Sequence, residues 1–423
     1  MANERLDIVI FGASGFTGKH AVQVAAQLAK EKQIKFGISG RRKQALEAIR
    51  SELAADIENV PIIIADLKDE ESLKEMTKQA KVLVNCCGPY RFYGEPVIKA
   101  CIATRTHQVD VSGEPQFIET VQLKYDKEAR EAGIYIISAC GFDSIPSELG
   151  IIFTQDKFNG EVNTIESYLT TWTTTKVDSA RLHYGTYESA VYGIAHHNEL
   201  HELRSKLYPE KLPPFQPKLK KRGLLHKSIS NGWSMPFPGS DRAIALRTQR
   251  FFYEKYKQRP VQIGSYVTFN SLFTALTTII FGVIFAALSK FEFGRNLLLK
   301  YPSFFSCGYV SYEGPSKNVM ENTHFAMTFK AEGWTEKSAE PTDKHKDPPN
   351  KVLITKVTGV DPGYGGTCTM LLLSAMTILK ESDKIPENGG VLTPGSAFAK
   401  TSLIEELNKK DIKFEVVSSI ETK

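Results

Sequence analysis

The sequence contains little cysteine and starts without an apolar segment. Its 423 residues include six cysteines, which are scattered without the close spacing that metal ligands need. Residues 1–7 are polar and run directly into the first predicted strand, unlike a secretory signal peptide. We therefore expect an intracellular protein that keeps its thiols reduced. The six cysteines are Cys86, Cys87, Cys101, Cys140, Cys307 and Cys368.

The histidine-rich segment around residue 197 lacks the pattern of a zinc site. His197 and His201 are four residues apart and would face the same side of a helix. The metalloprotease pattern needs Glu directly after the first histidine, and Asn198 stands there instead. No third ligand suggests itself, so a solvated polar helix face is favoured and no metal is predicted.

Charge is distributed unevenly along the chain. The net charge is +5 overall, but residues 204–259 contain fourteen Lys and Arg against three Asp and Glu, a net +11. The rest of the chain is therefore acidic. The basic segment contains no recognised nucleic-acid-binding module, so no nucleic-acid partner is predicted. The length and composition predict a globular protein of two or three domains.

A glycine-rich turn near the N-terminus is the most specific motif. Residues 6–11 are typical of a buried parallel strand, and residues 19–30 carry apolar side chains at helical spacing. Strand, glycine turn and helix together predict a dinucleotide-binding fingerprint rather than an ordinary turn, with the pyrophosphate on the free N–H groups of the helix. The turn residues expected to bind it are Gly12, Ala13, Ser14, Gly15, Phe16, Thr17 and Gly18.

The second predicted strand, residues 34–39, ends without an acidic residue. An NAD-preferring site has Asp or Glu there to bind the ribose 2′-hydroxyl, and a carboxylate would repel a 2′-phosphate. Gly40 is followed instead by Arg41 and Arg42, whose guanidinium groups can bind a phosphate through paired hydrogen bonds. The sequence therefore favours NADP(H), although arginines at a solvated helix start would give the same pattern.

Strands and helices alternate through the first third of the chain. Further strands are predicted at residues 60–65, 82–86, 107–111 and 134–138. This alternation predicts a doubly wound parallel sheet, whose ligands bind beyond the C-terminal strand ends. The residues at those ends that are expected to contact the dinucleotide are Asp66, Asn85, Cys86, Gly88, Pro89, Tyr90, Cys140, Gly141 and Phe142.

A reductase also needs a proton donor, because hydride transfer to a carbonyl, imine or polarised alkene leaves an anion. The candidates at the strand ends are Tyr93, Asp110 and Asp143. No spacing such as Tyr-x-x-x-Lys singles out one of them, and each is equally compatible with a structural role. Asp143 in particular is suited to cap a helix that begins near Ser144.

The pattern changes near residue 160. Alternating, β-branched segments typical of half-exposed antiparallel strands occur at residues 164–172, 325–329 and 352–357. We predict a dinucleotide-binding domain over residues 1–158, a mixed α+β domain for substrate binding or dimerisation over 159–360, and a C-terminal segment over 361–423 that returns to the first domain.

An apolar segment without any charged residue, 261–289, follows the basic one. Its densest part, 272–288, is predicted to be helical and is slightly short for a spanning helix. A basic stretch beside an apolar helix is typical of proteins that lie on an anionic lipid surface, so contact with a lipid droplet or membrane is favoured. The alternative is burial at a domain or homodimer interface.

Several motifs together resemble a known family, the saccharopine dehydrogenase-like oxidoreductases of animals, and they also resemble bacterial trans-acting enoyl reductases of lipid synthesis. The motifs are residues 12–18, 88–94, 109–114, 140–146, 361–365 and 389–394. The resemblance implies an α/β fold with an N-terminal NADP-type Rossmann domain and a second, mixed α+β domain of the saccharopine reductase kind. It also implies association with lipid droplets, and it does not imply lysine metabolism.

Two functions are compatible with these observations. The first is an NADP(H)-dependent oxidoreductase of lipid or glycolipid metabolism, acting as a homodimer on a hydrophobic or lipid-linked substrate at the cytosolic face of a lipid droplet or membrane. The second is a lipid-associated protein that binds a nucleotide without turnover. A proton donor beside the nicotinamide would separate the two.

Overall fold

The computed structural model describes residues 4–52, 60–229 and 231–421. Seven parallel strands of this part form the first sheet, in the order β15-β6-β5-β4-β1-β2-β3. The strands are β1 (Leu6–Phe11), β2 (Phe36–Gly40), β3 (Ile62–Ile64), β4 (Ala80–Asn85), β5 (His107–Asp110), β6 (Tyr135–Ile137) and β15 (Gly390–Leu392). The helices of this region are α1 (Phe16–Lys32), α2 (Lys43–Glu52), α3 (Glu70–Lys78), α4 (Tyr90–Thr104), α5 (Pro115–Ala132) and α6 (Ile145–Lys157).

A second sheet, also of seven described strands, has the order β16-β14-β13-β7-β11-β10-β9 and is antiparallel except between β7 and β11. Its strands are β7 (Glu161–Thr173), β9 (His226–Lys227), β10 (Trp233–Pro236), β11 (Gln262–Phe269), β13 (Thr323–Trp334), β14 (Lys351–Val360) and β16 (Lys413–Glu421). Two short strands, β8 (Leu182–His183) and β12 (Val310–Ser311), form a separate pair.

Helices of three groups complete the described chain. Those beside the second sheet are α7 (Tyr184–Ala195), α8 (Glu199–Leu207) and α9 (Asp241–Tyr256). The apolar region forms α10 (Leu272–Ser289), α11 (Glu292–Lys300) and α12 (Pro302–Phe305). The remaining helices are α13 (Lys317–Glu321), α14 (Gly365–Glu381), α15 (Pro394–Phe398) and α16 (Leu403–Asn408).

The parallel N-terminal sheet confirms the predicted α/β fold. The apolar runs of β1 and β4 are buried because helices cover both faces of the sheet. β4 and β5 are neighbours, with Asn85 paired to Asp110, and β6 lies next to β5. The ends of these three strands therefore meet at one edge of the sheet.

The C-terminal region contributes to both sheets. α14 packs against α1, and β15 pairs with β6 in the first sheet. The chain then continues into β16, which pairs with β14 at the edge of the second sheet. α14 and β15 thus return to the first domain as predicted, whereas β16 belongs to the second sheet. The predicted domain boundaries themselves stay a prediction.

The two sheets share a continuous hydrophobic core, which runs from Ile8 in β1 to Phe414 in β16. α6 packs on β7, β13 and β14 of the second sheet, and α14 packs on β4 and β5 of the first sheet and on β14 of the second. On α6 a Cβ at Gly150 would overlap the ring of Phe329, so the glycine allows helix and sheet to approach closely. This contact fixes the position of the segment that leads into α6.

α10 is an apolar helix that the protein leaves uncovered. It is long and apolar enough to cross a membrane by length and composition, yet only 11% of it is buried. Phe273, Ile280 and Val283 are 75%, 59% and 65% exposed. The helix packs on α7 and α11, and both of its ends lead back into the same folded body. The prediction of a helix here is therefore confirmed, and it is not a core helix.

Part of the predicted basic surface is neutralised by ion pairs within the fold. Several basic residues of the 204–259 segment form ion pairs with acids from other parts of the chain, because the rest of the chain is acidic. The pairs are Arg204–Glu119, Arg222–Glu166, Lys255–Glu387 and Arg259–Glu161. Exposed lysines without such a pair in the described chain remain in the loop before β9, at Lys211, Lys218, Lys220 and Lys221.

Candidate active site

A single open cleft of about 2390 Å³ joins the edge of the first sheet to the second sheet. The glycine turn and α1 contribute Gly15, Phe16 and Thr17 to its walls, and the loops after β4, β5 and β6 contribute Cys86, Gly88, Tyr90, Gly113 and Asp143. α10 also lines this cleft. The segments that follow three adjacent strands therefore meet in one cleft.

The glycine turn is shaped by close contacts that only glycine permits. Gly12 has a φ of +81°, and a Cβ there would lie 2.7 Å from Cys87 Sγ. A Cβ at Gly18 would overlap the carbonyl oxygen of Gly12, so the missing side chain lets α1 pack directly on the turn. The N–H of Gly15 donates to the same carbonyl over 2.9 Å. The turn is thus compact and its backbone is accessible.

The N-terminus of α1 has the features of a phosphate site. Its N-cap, Gly15, provides no side-chain cap, and the first turn contains no acidic residue. Gly15 and Thr17 line the cleft, so the free N–H groups and the positive end of the helix dipole are available to an anion. In addition, the buried Asn85 Nδ2 has no hydrogen-bond partner among the described residues. These residues fit the pyrophosphate and nicotinamide ends of a dinucleotide.

Arg41 and Arg42 follow β2 on the same side as the glycine turn. Both side chains are exposed and form no ion pair with a described residue. Burial raises the pKa of the Cys87 thiol to about 12, and the charge of Arg41 opposes this shift, so Arg41 lies near the end of β4. Both guanidinium groups are therefore free to bind a 2′-phosphate.

The other residues predicted to contact the dinucleotide lie around this turn. Asp66 follows β3, where its carboxylate accepts from the N–H of Lys68 over 3.0 Å. Ala13 and Cys140 are fully buried, and the Cys140 thiol donates to the Ile137 carbonyl. Ser14 lies beside Gly40, Pro89 is the N-cap of α4, and the Gly141–Phe142 segment contacts Thr367 of α14.

Glu114 links the start of α4 to α7 through hydrogen bonds. Its carboxylate accepts hydrogen bonds from the N–H groups of Tyr90 and Arg91 over 2.8 and 2.9 Å. It also accepts from the Ser189 hydroxyl over 2.9 Å. The Tyr90 hydroxyl donates to the carbonyl of Asn85, and burial raises the pKa of Tyr90 well above its usual value. Glu114 and Tyr90 therefore hold the cleft wall in place.

Two of the three predicted proton donors lie away from the cleft wall. Asp110 is fully buried and accepts from the Ser112 N–H, the Ser138 hydroxyl and the Gln108 amide. Burial raises the pKa of Asp110 to about 6, against these hydrogen bonds. Tyr93 is 42% exposed and, in the described structure, is not part of the cleft lining.

Asp143 is the predicted donor that lines the cleft. Its Oδ2 lies 3.5 Å from the position of a Cβ on Gly113, and burial raises its pKa to about 6. The helix-cap interpretation is wrong, because the N-cap of α6 is Ser144 and no side chain caps that helix. Asp143 thus presents a carboxyl group to the cleft.

Behind Asp143 lies a second carboxyl group that sequence reasoning missed. Asp241, at the start of α9, is 2% exposed, and its Oδ1 has no hydrogen-bond partner in the described chain. Burial, followed by the charge of Asp143, raises the pKa of Asp241 well above its usual value. Glu148 lies deeper, and burial raises its pKa to about 7. No sequence spacing relates Asp241 to the other two acids, because Asp241 starts α9 whereas Asp143 precedes α6 and Glu148 lies within it.

The described residues contain no group of three His, Cys, Asp or Glu side chains arranged to hold a metal ion. In the histidine-rich segment, His196 Nδ1 lies 3.0 Å from Glu199 Oε1, within a half-exposed helix turn. These residues are thus engaged with each other at the surface.

Relatives of this chain match it along its whole length. Residues 8–137 match the saccharopine dehydrogenase NADP binding domain family. The saccharopine dehydrogenase-like oxidoreductase of Homo sapiens is 41% identical, and the similarity covers all of both chains. This chain belongs to the saccharopine dehydrogenase-like oxidoreductases. The resemblance seen in the sequence is confirmed, and so are NADP(H) binding and membership of an oxidoreductase family.

Two further similarities extend the comparison of this saccharopine dehydrogenase-like oxidoreductase. The lipid droplet localized protein of Caenorhabditis elegans is 34% identical over 98% of this chain and 99% of its own. The apo saccharopine dehydrogenase (L-Glu forming) of Saccharomyces cerevisiae matches 98% of this chain and 100% of its own, with a TM-score of 0.56 and 14% identity. The second similarity shows a shared fold.

The first prediction concerns cofactor selectivity. Replacing both Arg41 and Arg42 with alanine should weaken NADPH binding by about 1.5–3 kcal/mol for each charged hydrogen bond that is removed, and should leave NADH binding unchanged. Calorimetric titration with both dinucleotides measures this. Arg50→Ala, in the last turn of α2, is the matched control. Equal affinity of the unmodified protein for NADPH and NADH would contradict the prediction.

The second prediction concerns the buried acids. Because their pKa values are raised on folding, the folded state binds more protons than the unfolded state between about pH 4 and 7, and stability should fall as pH rises through this range. Asp241→Asn should remove part of that fall between pH 5 and 8. Asp156→Asn, at the exposed end of α6, is the control. Chemical unfolding at both pH values measures the effect, and an unchanged pH dependence would refute it.

Proposed function

We propose that this protein is an NADP(H)-dependent reductase that acts on a hydrophobic or lipid-linked substrate at a lipid surface. The observation that carries the proposal is the single cleft that joins the glycine turn to α10. Some lining residues of this cleft fit a dinucleotide, and others belong to a helix whose outer face is apolar and exposed. The lining also contains the carboxyl group of Asp143.

Different residues of the chain would bind the cofactor and protonate the substrate. Gly15 and Thr17 would hold the pyrophosphate, and Arg41 and Arg42 the 2′-phosphate. NADPH supplies a hydride when bound, and is oxidised to NADP⁺. The substrate carbonyl, imine or polarised alkene gains that hydride at carbon and a proton at its other atom. Asp143 would donate this proton.

The position of Asp143 suits this role. Its carboxyl group faces the cleft, where a substrate can reach it, and its pKa of about 6 gives it a larger protonated fraction near neutral pH than an ordinary aspartate has. Asp241 lies behind it with an unpartnered oxygen, and two neighbouring buried carboxyl groups hold a shared proton more readily than two negative charges. We therefore propose Asp143 as the proton donor and Asp241 as the buried carboxyl group with which it shares a proton.

Attachment to lipid is supported by the surface around α10. Besides the exposed face of the helix, Phe291, Phe293 and Phe304 are exposed on the segments that follow it. Large exposed apolar patches are rare on monomeric soluble proteins. Both ends of α10 return to one folded body, so the helix would lie in the lipid surface rather than cross it. The name of the Caenorhabditis elegans relative supports a lipid droplet.

The free thiols of the protein favour attachment to the cytosolic side of that surface. The six cysteines are all free, including the exposed Cys307. Free thiols persist in reducing compartments. The lysines of the loop that contains Lys218 and Lys221 would add a limited electrostatic attraction to anionic lipids, since much of the remaining basic segment is already paired.

Turnover can be tested without knowing the substrate. The full-length protein is incubated with a cellular lipid extract and NADPH that carries deuterium at its transferable position. We expect one lipid class to gain one deuterium, as measured by mass spectrometry, and Asp143→Asn to slow this gain about 10²- to 10⁴-fold. Asp156→Asn is the control. If NADPH binds but no lipid gains deuterium, the protein binds the nucleotide without turnover.

Lipid attachment is tested by changing the outer face of α10. Replacing Phe273, Ile280 and Val283 with serine should weaken attachment by about 1.5–3 kcal/mol for each side chain and leave the protein at the bottom of a flotation gradient. NADPH binding should be unchanged, and high salt should release little of the unmodified protein. The control replaces Val416, Val417 and Ile420, which are exposed on β16, with serine.

An outcome in which the unmodified protein fails to float would contradict attachment. Sedimentation then shows whether α10 is instead covered by a second copy, because the serine variant would lose its dimer.

A further inference from the structure

α10 has two different faces, and lipid attachment explains only one of them. The outer face is large and apolar, with Phe273, Ile280 and Val283. The inner face lines the cleft with small, hydroxylated and aromatic residues: Thr274, Thr277, Thr278, Phe281, Gly282 and Phe285. Their spacing of three and four residues places them on one side of the helix. A membrane-anchoring helix alone does not need such an inner face.

The inner face borders open space. A Cβ built on Gly282 meets no atom within 4 Å, and the Thr277 and Thr278 hydroxyls donate to carbonyls of their own helix, so their methyl groups are left to face the cleft. Phe285 contacts the ring of Tyr187 on α7 at 5.4 Å between centroids. α10 therefore contacts α7 near Phe285 and leaves open space beside Gly282.

The cleft is also too large for the reacting groups alone. Part of its volume of about 2390 Å³ would hold the dinucleotide, and the whole compares with roughly 300–1,000 Å³ for sites that enclose a drug-sized ligand. The walls of the cleft also include Met235, Leu246 and Val267, which are apolar. A substrate that fills this space has a long apolar part and reaches Asp143 with its polar, reducible end.

We propose that the inner face of α10 forms a lateral portal, through which a single lipid molecule passes from the lipid surface into the cleft with its acyl chain along Thr274–Phe285. The inference rests on the proposed attachment of α10 to lipid, and it adds the substrate class: a lipid with at least one long acyl chain. The same helix then serves as an anchor on one side and as the guide for the substrate on the other.

Photocrosslinking tests the portal. The full-length protein is bound to phosphatidylcholine vesicles that contain a phosphatidylcholine with a diazirine in its acyl chain, then irradiated, and the labelled residues are identified by mass spectrometry. In the unmodified protein we expect labels on the outer residues Phe273 and Ile280, on the inner residue Phe281, and on Leu246 inside the cleft.

Gly282→Leu is the blocking variant, because leucine fills the open space without a clash and favours helix more than glycine does. We expect it to lose the label on Leu246 while it keeps the outer labels, flotation and NADPH affinity. Val283→Leu, on the outer face, is the matched control and should keep all labels. Thr278→Leu provides a second block of the same open space.

The outcomes separate the two proposals. If the outer residues are not labelled, attachment itself fails. If they are labelled but Leu246 never is, or if both blocking variants keep the label on Leu246, attachment stands and the portal is refuted.

Discussion

The packing of α6 on the second sheet is the contact on which the arrangement of the candidate site depends. Gly150 allows this helix to touch Phe329 of the second sheet, while the segment before the helix carries Asp143 to the edge of the first. Because the interior is close-packed, a shift of α6 would move Asp143 and Glu148 relative to the first sheet. Asp241 lies on α9, which packs against the same helix.

The parts of the structure with local signals could be predicted from the sequence. The glycine turn, the absence of an acid before Arg41 and the alternating strands depend on neighbouring residues, and the parallel topology brings their ends together. Asp241 could not be found in this way, because its relation to Asp143 exists only after α6 and α9 have packed. The same holds for the inner face of α10, which differs from the outer face only once the cleft defines a direction.

The basic segment illustrates why charge patterns predict surfaces poorly. Read alone, residues 204–259 suggest a cationic patch. In the fold, Glu119 and Glu166 are almost fully buried and accept Arg204 and Arg222, so these arginines compensate buried carboxylates rather than face lipid. Attraction to a lipid surface therefore depends more on apolar area than on charge, and the net charge of a segment says little until its partners are known.

The position of β16 has a consequence for biosynthesis. β16 follows α10 by more than one hundred residues in the chain, and it pairs with β14 at the edge of the second sheet. A ribosome delivers the chain from the N-terminus, and domains fold as their residues emerge. The apolar α10 thus leaves the ribosome while the sheet that carries it is still open at one edge. During that interval the nascent chain exposes both an apolar helix and an unpaired strand edge, and both favour aggregation. Early binding of the chain by a chaperone or by the lipid surface would cover them.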